Sequence, residues 1–206
     1  MTPQPTVFVV DDDEAMRSSL KWLIESVGLR VRTYDSARAF LASYVPEGGT
    51  GCLLLDVRMP GMSGLELQGY LARADITLPV IIITGHGDIA MAVRAMKAGA
   101  LDFIEKPFND EALINSIRRG LDYDATQRAQ RLRRAEIATR LGQLTPREHE
   151  VMNLVTDGKS NKEIAATLGV SAKTVEAHRA RVMDKMQARS LADLVRMALV
   201  VADATD

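Results

Sequence analysis

The chain has little of what announces a disulfide, a metal centre or a membrane. Only one cysteine, Cys52, occurs in 206 residues. No internal disulfide can form, and no ligand set for structural zinc exists. No apolar run approaches the ~18–20 residues that a membrane-spanning helix needs. The first residues lack the basic and apolar regions of a signal peptide. These absences predict a cytoplasmic protein with no membrane partner.

What is present is ordinary globular composition, 47% apolar and 26% charged, in a length comfortable for two small domains. Charge is uneven. Residues 1–122 carry 12 Lys+Arg against 16 Asp+Glu, a balance of −4, and residues 123–206 carry 14 against 11, a balance of +3. An acidic domain joined to one that touches a polyanion would look like this, although surface charge also varies so by chance.

The first 120 residues alternate between strand and helix patterns. "TVFVV" (6–10), "LRVRTYD" (29–35), "GCLLLD" (51–56), "LPVIIIT" (78–84) and "LDFIEKP" (101–107) read as strands. Helices are predicted over 16–28, 36–44, 63–75, 87–100 and 109–123, with Ser36 and Asn109 as caps. Nearly continuous apolar strands imply a parallel sheet covered on both faces, hence an α/β doubly wound, five-stranded, flavodoxin-like fold. Ligands of such folds gather at the carboxyl ends of the strands. Asp11–Asp13, Asp56, Thr84 and Lys106 all fall at such ends.

Three aspartates at one edge would repel one another without a cation, and a hard ion such as Mg²⁺ resolves the conflict through oxygen ligands. Asp56 could then act as a nucleophile toward phosphorus, forming an acyl phosphate. Lys106 would supply charge to the phosphoryl oxygens, Thr84 a hydroxyl donor, and Gly85 room. Each piece alone is weak, because strand-end aspartates also serve as turn formers and helix caps.

Together, Asp11–Asp12, Asp56 in "LLLDVRMPGMSG", Thr84 in "IIITGHGD" and Lys106 in "IEKPF" resemble the receiver domain of two-component response regulators. The resemblance implies that Asp11, Asp12, Asp56 and the Arg58 backbone carbonyl hold Mg²⁺ and that Asp56 is the phosphoacceptor. It gives Asp13 no firm role. It places Thr84 and Phe103 as the switch pair, with dimerisation through a face near Met91, Met96 and Lys97, although methionines at helical spacing are also ordinary core. His86 would modulate water access, and Trp22 and Cys52 read as core residues.

"LDYDATQRAQRLRRAEIATRLGQ" is rich in helix formers and reads as a helical linker, 123–142. Residues 143–206 hold helical segments only. "LTPREHEVMNLVTDG" opens with Thr145 as cap, Pro146 at the first helical position and Glu148 in the capping-box place. Helices follow at 160–169, 170–186 and 190–202. Val175, Val182 and Met186 should face inward against Ile164, Leu168 and Leu194. Lys173, Thr174, Glu176, Ala177, Arg179, Ala180 and Arg181 should face outward, with Lys185 also assigned to DNA. "LTPREHEVMNLVTDGKSNKEIAATLGVSAKTVEAHRARVMDKM" resembles a LuxR-type helix-turn-helix in an all-α tetrahelical domain, and the two halves together are similar to FixJ-like regulators. The resemblance implies a sensor histidine kinase, promoter DNA, RNA polymerase and a second copy of the chain as partners, and no turnover of an external substrate. A haloacid-dehalogenase-type phosphatase is the rival enzyme reading, but such enzymes place nucleophile and acid two residues apart after the first strand. A pure protein-interaction module is the other rival, disfavoured by the positive C-terminal half.

Overall fold

The structure is a computed structural model and describes residues 4–45, 49–85 and 88–202. Two compact units are present, residues 1–128 and 129–206.

In the first unit, strands β1 (Thr6–Val10), β2 (Arg30–Tyr34), β3 (Gly51–Asp56), β4 (Val80–Thr84) and β5 (Asp102–Glu105) alternate with helices α1 (Glu14–Ser26), α2 (Ala37–Ser43), α3 (Gly64–Arg73), α4 (Ile89–Lys97) and α5 (Asp110–Leu141). The sheet is wholly parallel in the order β2-β1-β3-β4-β5. Strand β3 shows why: with every residue buried, its alternate side chains serve opposite faces. Leu53 and Leu55 join Phe40, Leu67, Ile82 and Ala95 in one cluster. Cys52 and Leu54 join Leu20, Ile24, Ile81 and Leu113 in the other. Burial, then the charge of Asp124, pushes the Cys52 thiol up to about 12, so it stays protonated at neutral pH.

Helix α1 starts two residues earlier than its apolar pattern suggests. Asp13 caps it, accepting from the N–H groups of Ala15 (2.8 Å) and Met16 (3.3 Å). Trp22, expected in the core, is instead 73% exposed. Leu20 and Ile24 define the buried face, and at 100° per residue position 22 falls on the opposite side of the helix.

The stretch expected as a helical linker continues the preceding helix, as its composition suggests. α5 is one helix of 32 residues, and its ends belong to different cores. Leu113, Ile117 and Leu121 pack in the first unit, where buried Asp124 also accepts from Gly51 N–H (2.8 Å) and Arg128 Nε (2.7 Å). Ile137 is buried in the second.

That second unit adds α6 (Pro146–Thr156), α7 (Asn161–Leu168), α8 (Ala172–Met186) and α9 (Leu191–Ala202). Val175, Val182 and Met186 pack with Ile164 and Leu194, and Leu168 lines the cluster. α6 and α7 each begin with a capping box, and Ser171 caps α8. Between α7 and α8, Gly169 takes a left-handed conformation (φ 65°), which turns the chain sharply.

Glu148 is the polar pin of this unit. Its buried carboxylate accepts from Lys185 Nζ (2.6 Å) and Thr145 N–H (2.9 Å). The Lys185 hydrogen bond first, and the Thr145 N–H second, hold its pKa down to about 2 from an ordinary 4.5. Because the folded carboxyl releases its proton at lower pH than the unfolded one, the stability this group adds is complete above about 4.5 and drains as pH falls toward 2. Replacing Glu148 by Gln should cost about 1–3 kcal/mol at neutral pH and flatten the pH dependence of unfolding in that window. Urea melts of residues 129–206 within the full chain, followed by circular dichroism at several pH values, measure both effects.

Candidate functional site

The strand order reverses direction between β1 and β3, and both strands end there in a carboxylate. Asp11 is 2% exposed and Asp56 7% exposed, so neither charge is bathed in solvent. Lys106 answers both. Its Nζ lies 2.7 Å from Asp11 Oδ2 and 2.9 Å from Asp56 Oδ1. The backbone brings it there: Lys106 N–H donates to Thr84 O (2.8 Å), extending the β4–β5 ladder by one residue past Thr84↔Glu105. Thr84 is therefore beside Lys106, buried at the end of β4.

The remaining oxygens are divided. Asp11 Oδ1 accepts from Asp13 N–H (2.9 Å), and Asp56 Oδ2 accepts from Arg58 N–H (2.7 Å). Burial, the largest influence, raises the Asp56 carboxyl above the ordinary range, and neighbouring Asp11 adds to this; the Lys106 and Arg58 bonds work against it. Burial alone would lower the Lys106 ammonium, but its bonds to Asp11 and Asp56 outweigh that and raise it.

Glycine matters once in this site. A β-carbon on Gly64 would stand 2.1 Å from the Asp56 backbone oxygen, so only glycine lets α3 begin against the end of β3. Gly64 N–H also donates to Val57 O (3.1 Å).

Hard oxygen donors suit a divalent cation. Asp11, Asp12 and Asp56 carry three negative charges and Lys106 one positive, leaving two to be balanced. The three carboxylates do not form the tight cage expected from the sequence. Among the described residues no three acidic, histidine or cysteine side chains converge on one metal position. Lys106 draws Asp11 and Asp56 together, while Asp12 is exposed. The donor set and charge fit the ion; caging it needs rearrangement of these side chains. His86 lies outside the described residues.

Around the site, Phe103 is partly buried against the cluster that contains Ala95 and Ile82. Met91 packs there too, so it is not on the outer face of α4; it sits one turn before buried Ala95. The outer face carries Ile89 (85% exposed), Val93 (46%) and Met96 (47%), with Lys97 also exposed. Their i, i+4, i+7 spacing is legible in "DIAMAVRAM". Gln68 of α3 was missed. It is buried and donates to Ala95 O (3.0 Å).

On α8, Lys173, Thr174, Glu176, Ala177, Ala180 and Arg181 are exposed. Two residues expected on that face are drawn inward. Arg179 donates to Asn161 Oδ1 (2.6 Å), and Lys185 is held by Glu148 and by Gln143 O (3.1 Å). Both border the buried line Val175–Val182–Met186, where a long basic side chain reaches a polar group of the domain before it reaches solvent.

Residues 7–118 match the family model of the response regulator receiver domain, and residues 142–198 match that of bacterial regulatory proteins of the luxR family. The chain is 50% identical over 202 residues to the transcriptional regulatory protein FixJ of Azorhizobium caulinodans, covering 97% of this chain and 95% of that protein. It is 50% identical over 192 residues to nodulation protein W of Bradyrhizobium diazoefficiens, covering 93% and 84%. Among solved structures, response regulator StyR superposes with a TM-score of 0.86 at 47% identity, covering 95% of this chain and 98% of that one. Full-length FixJ from B. japonicum gives 0.59 at 42%, covering 98% and 99%. A strand-edge lysine on two buried aspartates, a helix-turn-helix unit later in the chain and likeness over nearly the whole length agree: the chain belongs to the response regulators that join a receiver to a luxR-type DNA-binding domain, and is a FixJ-like transcriptional regulator.

Proposed function

We propose that this cytoplasmic regulator is switched by phosphorylation of Asp56 by a sensor histidine kinase, and that the phosphorylated receiver pairs with a second copy to bind promoter DNA and engage RNA polymerase. The observation that carries the reading is Lys106 Nζ bonded to both Asp11 and Asp56 beside Thr84. In the transfer, an Asp56 oxygen forms a bond to phosphorus while the phosphorus–nitrogen bond of the donor phosphohistidine breaks, and imidazole leaves with the electron pair. Mg²⁺ held by Asp11, Asp12, Asp56 and the Arg58 carbonyl would neutralise the phosphoryl oxygens. Lys106 shifts from the carboxylate to a phosphoryl oxygen, and the Thr84 hydroxyl donates to another. Later attack by water returns the free carboxylate, so the chain turns over only its own phosphoryl group.

The switch runs from Thr84 to Phe103, which fills the space Thr84 leaves, and then to the α4–β5 face. Ile89, Val93 and Met96, with Lys97, make an exposed apolar stripe that a second receiver would cover. Incubating the protein with acetyl phosphate and Mg²⁺ should add one phosphoryl group by intact mass. Asp56→Asn, or native protein with EDTA, should gain none; equal labelling of Asp56→Asn would refute the assignment.

DNA is read by α8. Lys173 and Arg181 hold phosphates, Thr174 flanks them, and Ala177 and Ala180 allow close approach to the major groove. Glu176 is an exposed carboxylate on a face that meets a polyanion, which suits acceptance of a hydrogen bond from a cytosine amino group. Glu176→Ala should relax preference at one base pair by about 1–3 kcal/mol, while Lys173→Ala should weaken every site alike and lower the salt slope by about one. Selection from randomised half-sites distinguishes them; unchanged base preference in Glu176→Ala would remove Glu176 from the readout.

A further inference from the structure

We propose that Gln68 is a positioning residue that holds α4 in the resting receiver and sets how readily the α4 face is released. α4 is lightly anchored. Of its nine residues only Ala95 is fully buried, while Ile89, Val93 and Met96 lie exposed. At that one anchored residue the backbone carbonyl accepts Gln68 Nε2 (3.0 Å) in addition to Ala100 N–H (3.0 Å). Gln68 is 3% exposed, so this bond is formed away from water.

The other half of the amide is unsatisfied. Gln68 Oε1 is buried and has no hydrogen-bond partner among the described residues. Ala95 O can only accept, so the amide nitrogen must face it and Oε1 is the atom left without a protein partner. A residue that only filled space there would be apolar, and a purely structural amide would be satisfied at both ends. The bond to α4 is thus the one thing the amide does. It also joins the site to α4 by a short route. Gln68 sits one turn after Gly64, whose backbone abuts Asp56 O and donates to Val57 O. Movement of the Asp56 strand end reaches α4 through a single turn of α3, and an element with one buried side chain is the element free to respond.

The inference rests on the reading that phosphorylation drives dimerisation. Gln68→Met keeps length and volume and removes both the bond and the stranded oxygen; Gln68→Leu removes them with a different shape. In the full chain, sedimentation measures the dimer dissociation constant with and without beryllofluoride and Mg²⁺. Both variants should dimerise about tenfold to a hundredfold more tightly than native when untreated, which is the worth of two hydrogen bonds, one released in each copy. The treated constants should match native, and neither variant should melt lower. Untreated constants equal to native, or shifted by the same factor as the treated ones, overturn the proposal. A native chain that does not tighten with beryllofluoride ends the dimerisation reading and this one with it. A responsive native chain with unaltered Gln68 variants ends only this one.

Discussion

One ammonium group holds two buried carboxylates at the end of the sheet, and the rest of the receiver is arranged around that contact. Asp11 and Asp56 are each nearly sealed from water, and leaving either unpaired would cost several kcal/mol. Lys106 reaches both because β5 extends one residue past Thr84, and because the strand order brings β1 and β3 side by side at the reversal point. Three adjacent aspartates then do three different things. Asp11 faces the lysine, Asp12 stays in solvent, and Asp13 turns back to cap α1. The acidic run is tolerable only because its charges are parted in this way.

Negative charge left over at this edge is what makes the site usable. A divalent cation would balance the two charges left over, and in the proposed switch the lysine would pass from the carboxylate to a phosphoryl oxygen. Taking a receiver from 1:99 to 99:1 needs about 5.5 kcal/mol of differential binding. The proposed phosphoryl group on Asp56, beside Lys106 and Thr84 in a setting this dry, would be of the right strength. Transmission needs a loosely held element, and α4 is one: a single buried side chain inside, three exposed apolar side chains outside. In the second unit the logic is opposite. Glu148 fastens the end of α8 to the start of α6, so the helix proposed to read DNA is fixed in place rather than switched.

Strands, caps and the polar edge were legible because they depend on local rules. Period and composition marked β1, β3 and β4; Ser36, Thr145 and Glu148 announced their helix starts; parallel topology then delivered Asp11, Asp56, Thr84 and Lys106 to one edge. What sequence could not give were choices made between distant side chains. Trp22 reads as core by residue type but stands on the wrong side of α1. Met91 and Met96 look alike in sequence, yet only Met91 packs inward. Arg179 and Lys185 are basic on a basic helix, but Asn161 and Glu148 claim them. Gln68 has no local signature at all, since its partner lies 27 residues away. The linker was read as helix, but not that Asp124 and Ile137 anchor its two ends in different cores.

A double-mutant cycle on Lys106 and Asp56 tests the central contact most directly. Unfolding free energies of the native chain, Lys106→Met, Asp56→Asn and the double variant give the coupling between the two side chains. Lys106→Met alone should destabilise the receiver by stranding two buried carboxylates, and Asp56→Asn should relieve part of that loss. Non-additivity of about 1–3 kcal/mol is expected. Effects that add to within about 0.5 kcal/mol would mean that Lys106 and Asp56 do not depend on each other, and the charge-centred account of the site would be wrong.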